Sequence, residues 1–347
     1  MKILLATNYL KGSLSAVQAA QAIKKGFLAV SDCFEIIEIP IADGGDGTLE
    51  AIKFYTSHKT MKSIVSGPLG DKVEAEWLVV DGKAVIEAVQ VIGLSLLKPE
   101  QYNPLKTTTY GLGELIKQAV DYGCKEIIMG IGGSSTNDGG VGMLEALEYK
   151  FPDIKIKVAC DVNNPLLGPN GASYTYGPQK GASPEDVKVL EKRLSDFADL
   201  TEKRTGKDYR NVSGTGAAGG LGFALLAYAN AELMPGFNLI VELSSMEEKI
   251  KNTDFVITTE GRLDSQTLQG KAPFRVAQLA DKYKVPVIVF AGSIERELNF
   301  EKTGIRAAFS IADGAISLED SIKNASYLLE NLSKNIARLI INSYGKH

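Results

Sequence analysis

Glycines, hydroxyls and a carboxylate follow one apolar run of the sequence closely enough to form an anion-binding loop. The run 126–131 is typical of a buried strand, and it leads directly into Gly-Gly-Ser-Ser-Thr-Asn-Asp-Gly-Gly at 132–140. Glycine lets backbone N–H groups approach an anion closely, and a helix predicted over 141–147 would place its positive end behind the loop. We therefore assign phosphate or carboxylate binding to Gly132, Gly133, Ser134 and Ser135.

Carboxylates recur at the predicted ends of strands, mostly beside glycine or asparagine. A second loop of this kind, Ala-Asp-Gly-Gly-Asp-Gly-Thr at 42–48, follows another apolar run. Each aspartate could be a turn former, but carboxylates in this number suit Mg²⁺, a hard ion that bridges phosphate oxygens. The predicted catalytic carboxylates are Asp43, Asp138, Asp161 and Asp264, of which the last two are candidates for the general base. The predicted metal ligands are Asp46 and Asp138.

Four further side chains could neutralise or bind an anion. Lys11 and Lys271 each lie near a predicted helix start, and Arg262 could hold a carboxylate through two parallel hydrogen bonds. Ser13 is either a phosphate ligand or the N-cap of the first helix. The dinucleotide pattern G-x-G-x-x-G at 214–219 does not follow a buried strand, and Lys271 lacks the earlier glycine of a P-loop, so both of those readings are rejected.

Composition excludes several classes of function. The net charge of −4 without a basic run argues against nucleic acid, and no apolar stretch reaches the roughly 18 residues that span a membrane. With two histidines, one of them the last residue, a Ser-His-Asp mechanism is improbable. Three widely spaced cysteines without a Cys-x-x-Cys pair favour a reduced, cytoplasmic protein.

The order of predicted elements favours an α/β fold. Apolar strands repeatedly lead into polar loops and then helices, which is typical of parallel sheets covered by helices. Residues 61–88 break the pattern with three short strands, and Asp81-Gly82 predicts a hairpin between the second and third. At 347 residues the chain is long enough for two domains, and this antiparallel section marks the start of the second.

These motifs together resemble those of the bacterial glycerate kinases that phosphorylate D-glycerate. The similarity runs from residue 2 to about residue 338. The matching stretches are 11–15, 42–48, 103–111, 130–140, 159–168, 177–181, 214–220 and 260–264, with Gln266 and Gly270-Lys271.

The resemblance implies a fold, a reaction and two ligands. It implies a Rossmann-like parallel α/β domain (1–60 plus 255–347), an inserted α/β domain with a mixed sheet (61–254), and an active site in the cleft between them. The implied reaction transfers the γ-phosphoryl group of ATP, with Mg²⁺, to D-glycerate. The products would be ADP and 2-phosphoglycerate, with 3-phosphoglycerate as the other outcome. A monomer or homodimer without nucleic-acid or membrane partners is expected.

Two departures from the family pattern keep other functions open. Asn8 occupies a position where relatives usually carry aspartate, and the segment between Leu147 and Lys155 is shorter than usual. If the missing aspartate were the base or a metal ligand, the amide could not replace it. The alternatives are a catalytically impaired sugar-acid-binding relative of the kinase and a metal-dependent phosphatase.

Overall fold

The computed structural model divides the chain into two compact units. The N/C unit comprises Met1–Ala42, Glu50–Thr56 and Ile240–His347, and the central unit comprises Asp43–Leu49 and Ser57–Leu239. Within these ranges the structure describes residues 1–41, 47–265 and 267–344. The N/C unit is discontinuous in sequence, because the chain leaves it, builds most of the central unit and then returns.

Strands and helices alternate through most of the chain. The strands are β1 (Lys2–Ala6), β2 (Glu35–Glu38), β3 (Lys59–Ser66), β4 (Lys72–Val80), β5 (Lys83–Glu87), β6 (Glu126–Gly130), β7 (Lys155–Ala159), β8 (Glu232–Met234), β9 (Phe255–Leu263), β10 (Val287–Ile294) and β11 (Ile305–Ser310). The helices are α1 (Ala16–Leu28), α2 (Thr48–Tyr55), α3 (Val89–Ile92), α4 (Tyr110–Asp121), α5 (Val141–Ala146), α6 (Ala172–Tyr176), α7 (Pro184–Thr205), α8 (Ala217–Ala229), α9 (Gly236–Ser244), α10 (Met246–Lys251), α11 (Ala272–Asp281), α12 (Leu318–Lys323) and α13 (Ala325–Tyr344).

A parallel sheet in the order β11-β10-β9-β1-β2 forms the centre of the N/C unit. The apolar run of β1 suits a strand covered on both faces, and Ile3, Leu4 and Leu5 are fully buried. Helix α1 begins with a capping box between Ser15 and Gln18 and packs against α13. Glycine at position 26 permits this approach, because a Cβ there would lie 2.5 Å from the carbonyl oxygen of Glu330.

A mixed sheet in the order β3-β4-β5-β6-β7-β8 forms the centre of the central unit. Its first three strands pair antiparallel, and β5 to β8 pair parallel. The predicted hairpin is confirmed, since Asp81 and Gly82 have φ angles of 48° and 75°, as a type I′ turn requires. The two sheets confirm the predicted α/β class with one parallel and one mixed sheet.

Two predicted helices differ in detail from the observed ones. The pattern over 318–341 predicts one helix, but α12 and α13 are separate, because Asn324 between them has φ and ψ angles of −102° and 10°, outside the α-helical range. Its side-chain amide also donates to the carbonyl of Asp320. The sequence also predicts a helix over 221–230, whereas the observed α8 starts at Ala217 and has left-handed backbone angles at residues 218–220. Within the described part of the chain, no helix is both long and apolar enough to cross a bilayer.

Close contact between the start of α8 and the loop after β6 depends on Gly219. A Cβ at this position would lie 2.1 Å from the carbonyl oxygen of Thr136, and the residue has a φ of +67°. The G-x-G-x-x-G pattern therefore serves backbone packing here: the carbonyl of Gly219 also accepts a hydrogen bond from the N–H of Gly139 at 3.0 Å.

We expect Gly219→Ala to destabilise the protein more than Gly206→Ala. The two glycines have φ angles of +67° and +70°, but nothing lies within 4 Å of a Cβ at Gly206. The control should lose about 1 kcal/mol from left-handed strain alone, and Gly219→Ala about 3 kcal/mol or more from strain plus overpacking. Urea unfolding curves measure both, and equal losses would show that the contact with Thr136 relaxes without cost.

Candidate functional site

In the loop that follows β6, the first two glycines are exposed and the hydroxyl side chains are buried. Gly132 and Gly133 are exposed, and Gly133 has a φ of +72°. Ser134, Ser135, Thr136 and Asn137 are all buried. The surface offered to a ligand is therefore mainly glycine backbone, with polar side chains directly beneath it.

Lys180 lies buried under this loop with only 2% of its surface exposed. Its Nζ donates hydrogen bonds to Ser134 Oγ at 3.0 Å and to the carbonyl oxygen of Thr136 at 2.6 Å. Burial lowers the pKa of Lys180 from 10.5 to about 7, and the negative charge of Asp138 opposes that shift. Lys180 lies in the matching stretch 177–181, but no role was predicted for it from the sequence. Its position between Gly177 and Gly181 was the available signal.

The positive charge behind the loop comes from this lysine more than from a helix dipole. The predicted helix is present as α5, but it has six residues, and its N-cap, Gly140, has a left-handed conformation. A helix this short carries few aligned peptide dipoles. The ammonium of Lys180 supplies a full charge when it is protonated.

Ser134 and Ser135 have different roles in the geometry. Ser134 Oγ accepts from Lys180, and because an ammonium has no acceptor, the hydroxyl proton of Ser134 points elsewhere. Ser135 Oγ instead donates to the carbonyl of Ile92 at 2.9 Å, and its own N–H bonds to the same oxygen at 2.8 Å. Ser135 thus fastens the loop to the end of α3, while Ser134 keeps a donor available.

Asp138 ties the loop to the start of two helices. Its Oδ2 accepts from the N–H and Oγ1 of Thr109, both at 2.8 Å, and from the N–H of Gly142 at 3.2 Å. Its Oδ1 accepts from the N–H of Gly140 at 3.0 Å. Thr109 precedes α4, and Gly140 precedes α5. With four donors on its two oxygens, this carboxylate fits a loop-fixing role better than metal ligation or proton transfer.

Another predicted carboxylate of the central unit, Asp161, lies apart from these contacts. Asp161 follows β7, is exposed, and accepts from the N–H of Gly236 at 3.2 Å. Asp43 and Asp46 lie outside the described residues. Among the residues that the structure does describe, no group of three or more His, Cys, Asp or Glu side chains could hold a metal ion.

In the N/C unit, the end of β9 brings Asp264 and Lys271 together. Asp264 Oδ1 accepts from Thr267 N and Oγ1, each at 2.9 Å, and lies 3.4 Å from Lys271 Nζ. Partial desolvation acts to raise the pKa of Asp264, but the Thr267 hydrogen bonds and the Lys271 charge together lower it. Arg262, on the same strand, is exposed and forms no ion pair with the described part of the chain. Two cations thus face solvent beside a carboxylate that is held ionised.

Glu260 is a second carboxyl at this strand end, and sequence reasoning did not assign it. It is half-buried, its Oε1 accepts from the N–H of Gly261 at 3.2 Å, and the side-chain amide of Asn8 lies beside it. Desolvation raises the pKa of Glu260 despite the opposing influence of Lys271, the Gly261 N–H and Asn8. Asn8, at which this chain departs from the family pattern, therefore lies beside a carboxyl group that ionises less readily than usual.

Lys11 and Ser13 follow β1 in the same unit. Lys11 is exposed, and its backbone N would lie 3.6 Å from a Cβ at Gly261, which places the β1 loop against the end of β9. Ser13 Oγ donates to the carbonyl of Ile322 at 2.8 Å. The N-cap of α1 is Ser15, so the alternative reading of Ser13 as the cap is wrong.

Comparison with known proteins decides the family. A family model described as the glycerate kinase family matches residues 3–155 and 150–341. The chain belongs to this family. It is therefore a kinase, a transferase that phosphorylates a hydroxyl group. The two matched parts overlap at 150–155, at the short segment between Leu147 and Lys155. In the same segment, Glu148 and Tyr149 have φ angles of 51° and 53°.

Individual relatives match this chain over nearly their whole length. The glycerate kinase of Bacillus subtilis is 42% identical over 373 residues, covering 98% of both chains. The glycerate 2-kinase of Escherichia coli is 42% identical over 370 residues, covering 97% of both. A crystal structure of a Salmonella typhimurium LT2 protein named as a glycerate kinase 2 matches with a TM-score of 0.86 and 38% identity, covering 99% of both chains.

We expect Asp138→Ala to lose about 3 kcal/mol or more of unfolding free energy, because four donors would lose a charged acceptor. The control is Asp196→Ala, which removes an exposed ion pair with Lys192 and should change the stability by about 0.5 kcal/mol or less. Urea unfolding of both variants measures the difference. A fully stable Asp138→Ala protein would contradict the loop-fixing role.

We expect the stability of the wild-type protein to rise relative to Lys180→Met between pH 7 and pH 9. The pKa of Lys180 is about 7 when folded and near 10.5 when unfolded, so over this interval the unfolded chain binds more protons. The free energy of unfolding must then increase with pH, by about 2 kcal/mol for this one group. Urea unfolding at both pH values measures the change, and parallel pH dependences of the two proteins would disprove it.

Proposed function

We propose that the protein is an ATP-dependent glycerate kinase that transfers the γ-phosphoryl group to D-glycerate and releases 2-phosphoglycerate and ADP. The names of the Bacillus subtilis and Escherichia coli relatives support glycerate as the acceptor, and the name glycerate 2-kinase supports the 2-hydroxyl. Identification of the product separates this outcome from 3-phosphoglycerate.

The observation that carries the proposal is the exposed glycine backbone of residues 132–133 above the buried ammonium of Lys180. Phosphoryl transfer depends on positioning and on neutralising the charge of phosphate oxygens, with little covalent chemistry from the protein. A cation held in a low-dielectric position behind backbone N–H groups interacts more strongly with an anion than an exposed lysine does. Gly132, Gly133 and Ser134 are thus the proposed ligands of a phosphate or carboxylate.

In the N/C unit, charge neutralisation falls to Lys11, Arg262 and Lys271, whose side chains are exposed. Arg262 suits a planar carboxylate best, because its guanidinium can donate two parallel hydrogen bonds. We propose that Glu260, rather than Asp161 or Asp264, accepts the proton of the substrate hydroxyl. A base works best with a pKa near the working pH; the pKa of Glu260 is raised, whereas that of Asp264 is lowered.

Mg²⁺ is the proposed companion of ATP. Asp138 does not fit as its ligand, because both oxygens already accept hydrogen bonds from protein donors. Asp46 stays the candidate ligand. In nucleotide sites Mg²⁺ is commonly held by one or two carboxylates together with the phosphates and water, so a single protein carboxylate is compatible with the ion.

A cytoplasmic location is proposed from the cysteines. Cys33, Cys124 and Cys160 are free thiols, and burial raises the pKa values of Cys124 and Cys160. Unpaired thiols that resist ionisation are typical of proteins in a reducing compartment.

We expect ADP release from ATP, D-glycerate and Mg²⁺ in a coupled assay, with 2-phosphoglycerate identified by phosphorus NMR. Glu260→Gln should lower kcat by about 10²–10⁴-fold and remove the rise of activity with pH at the acid side, because an amide cannot accept the proton. Asp264→Asn is the matched control; it should keep that rise.

Other outcomes would point to the alternatives. Glycerate binding measured by calorimetry without turnover would support the impaired binding protein, and phosphate release that needs no nucleotide would support the phosphatase. Full activity of Glu260→Gln would remove Glu260 from the proton transfer while leaving the kinase assignment intact.

A further inference from the structure

We propose that Lys180 is a positioning residue, which fixes Ser134 as a hydrogen-bond donor and supplies the countercharge for the anionic group that binds at Gly132 and Gly133. This inference rests on the proposed function, since it concerns the ligand of the same loop. It gives a role to Lys180, a residue of the matching stretch 177–181 for which the sequence alone predicted none.

The hydrogen bonds between Lys180 and the loop can run in one direction only. An ammonium group donates three hydrogen bonds and accepts none, so Ser134 Oγ must act as acceptor toward Lys180. The hydroxyl proton of Ser134 is then available to another acceptor. The same ammonium holds the carbonyl of Thr136, so one group fixes both the side chain and the backbone on either side of Ser135.

The backbone that carries Lys180 is fixed on both sides of the residue. Lys180 is the last residue of a short 3₁₀ turn, Pro178–Lys180. The backbone N–H of Lys180 donates to the carbonyl of Gly177 at 3.0 Å. Gly181 follows with a φ of +95°, and a Cβ there would lie 2.4 Å from the carbonyl oxygen of Tyr102. Only glycine suits that position, so the turn is fixed with the lysine side chain directed inward.

The positive charge of Lys180 has no contacting carboxylate among the described residues. Within the described chain, Lys180 has no carboxylate oxygen within ion-pair distance. The titratable group that faces it is Asp138, which acts on it at longer range and already accepts four hydrogen bonds. From the segment packed against Gly181, Tyr102 contributes its backbone and Cβ. A buried cation without a contacting anion is costly, and an anion bound on the loop above would offset that cost.

The experiment measures binding of D-glycerate and of ADP separately by calorimetry, at pH 6.5 and pH 8.5. In Lys180→Met, the dissociation constant of at least one ligand should rise about tenfold or more at pH 6.5. The difference from wild type should shrink at pH 8.5, where Lys180 is largely neutral. Lys180→Arg keeps a charge that does not titrate, so it should bind with little pH dependence. The ligand that responds shows whether the loop holds a carboxylate or a phosphate.

Two further variants complete the test, Lys157→Met as a control and Ser134→Ala as an independent probe of the proposed donor. Lys157→Met removes another buried lysine of the same unit, one that pairs with Glu126 at 3.5 Å on β6, and should leave binding unchanged. Ser134→Ala removes the proposed donor without removing the charge, and should weaken binding of the same ligand; it also tests the proposal if Lys180→Met does not fold.

The results separate failure of this inference from failure of the proposed function. Folded Lys180→Met or Ser134→Ala protein that binds both ligands like wild type at both pH values would overturn the positioning role, even with full kinase turnover. Wild-type protein that binds the ligands with the expected dependence on Lys180 but transfers no phosphoryl group would support the positioning role and overturn the kinase.

Discussion

An ammonium group removed from water must be surrounded by oxygen atoms, and this requirement organises the loop after β6. Ser134 and Thr136 supply the oxygens that contact Lys180. The loop can turn them inward because Asp138 fixes its far end to Thr109 and Gly142. Water would solvate a free lysine far better, so the arrangement persists only because the surrounding packing over-determines it.

Two carboxyl groups at the end of β9, those of Glu260 and Asp264, have pKa values shifted in opposite directions by their surroundings. Asp264 accepts two hydrogen bonds from Thr267 and lies near Lys271, and these contacts favour the ionised form. Glu260, four residues earlier, is desolvated and ionises less readily. Pairs of acidic groups whose environments separate their pKa values are typical of sites that both bind charge and move protons. The substitution at Asn8 leaves such a carboxyl group in place next to the amide.

Much of the fold followed from periodicity, whereas much of the site did not. Most of the strands, the Asp81-Gly82 hairpin and the glycine loop are local patterns and were predicted close to their observed places, whereas β8 and β11 were not predicted. The role of Asp138 depends on Thr109, a residue far away in sequence, and could not be predicted from a single aspartate beside glycines. Lys180 and Glu260 were missed for a related reason: charged side chains are usually exposed, and sequence alone does not show when packing has buried one.

The interruption of the N/C unit by the central unit has a consequence for synthesis on the ribosome. Strand β1 is apolar and pairs with β9, which is about 250 residues further along the chain. At the usual rate of translation, β1 and α1 must wait roughly 15–60 s before β9, β10 and α13 have emerged to cover them. The central unit can fold during that interval, whereas the first forty residues remain a substrate for chaperones. The interrupted order of the N/C unit thus leaves β1 exposed for longest, although in the finished sheet it lies between β9 and β2.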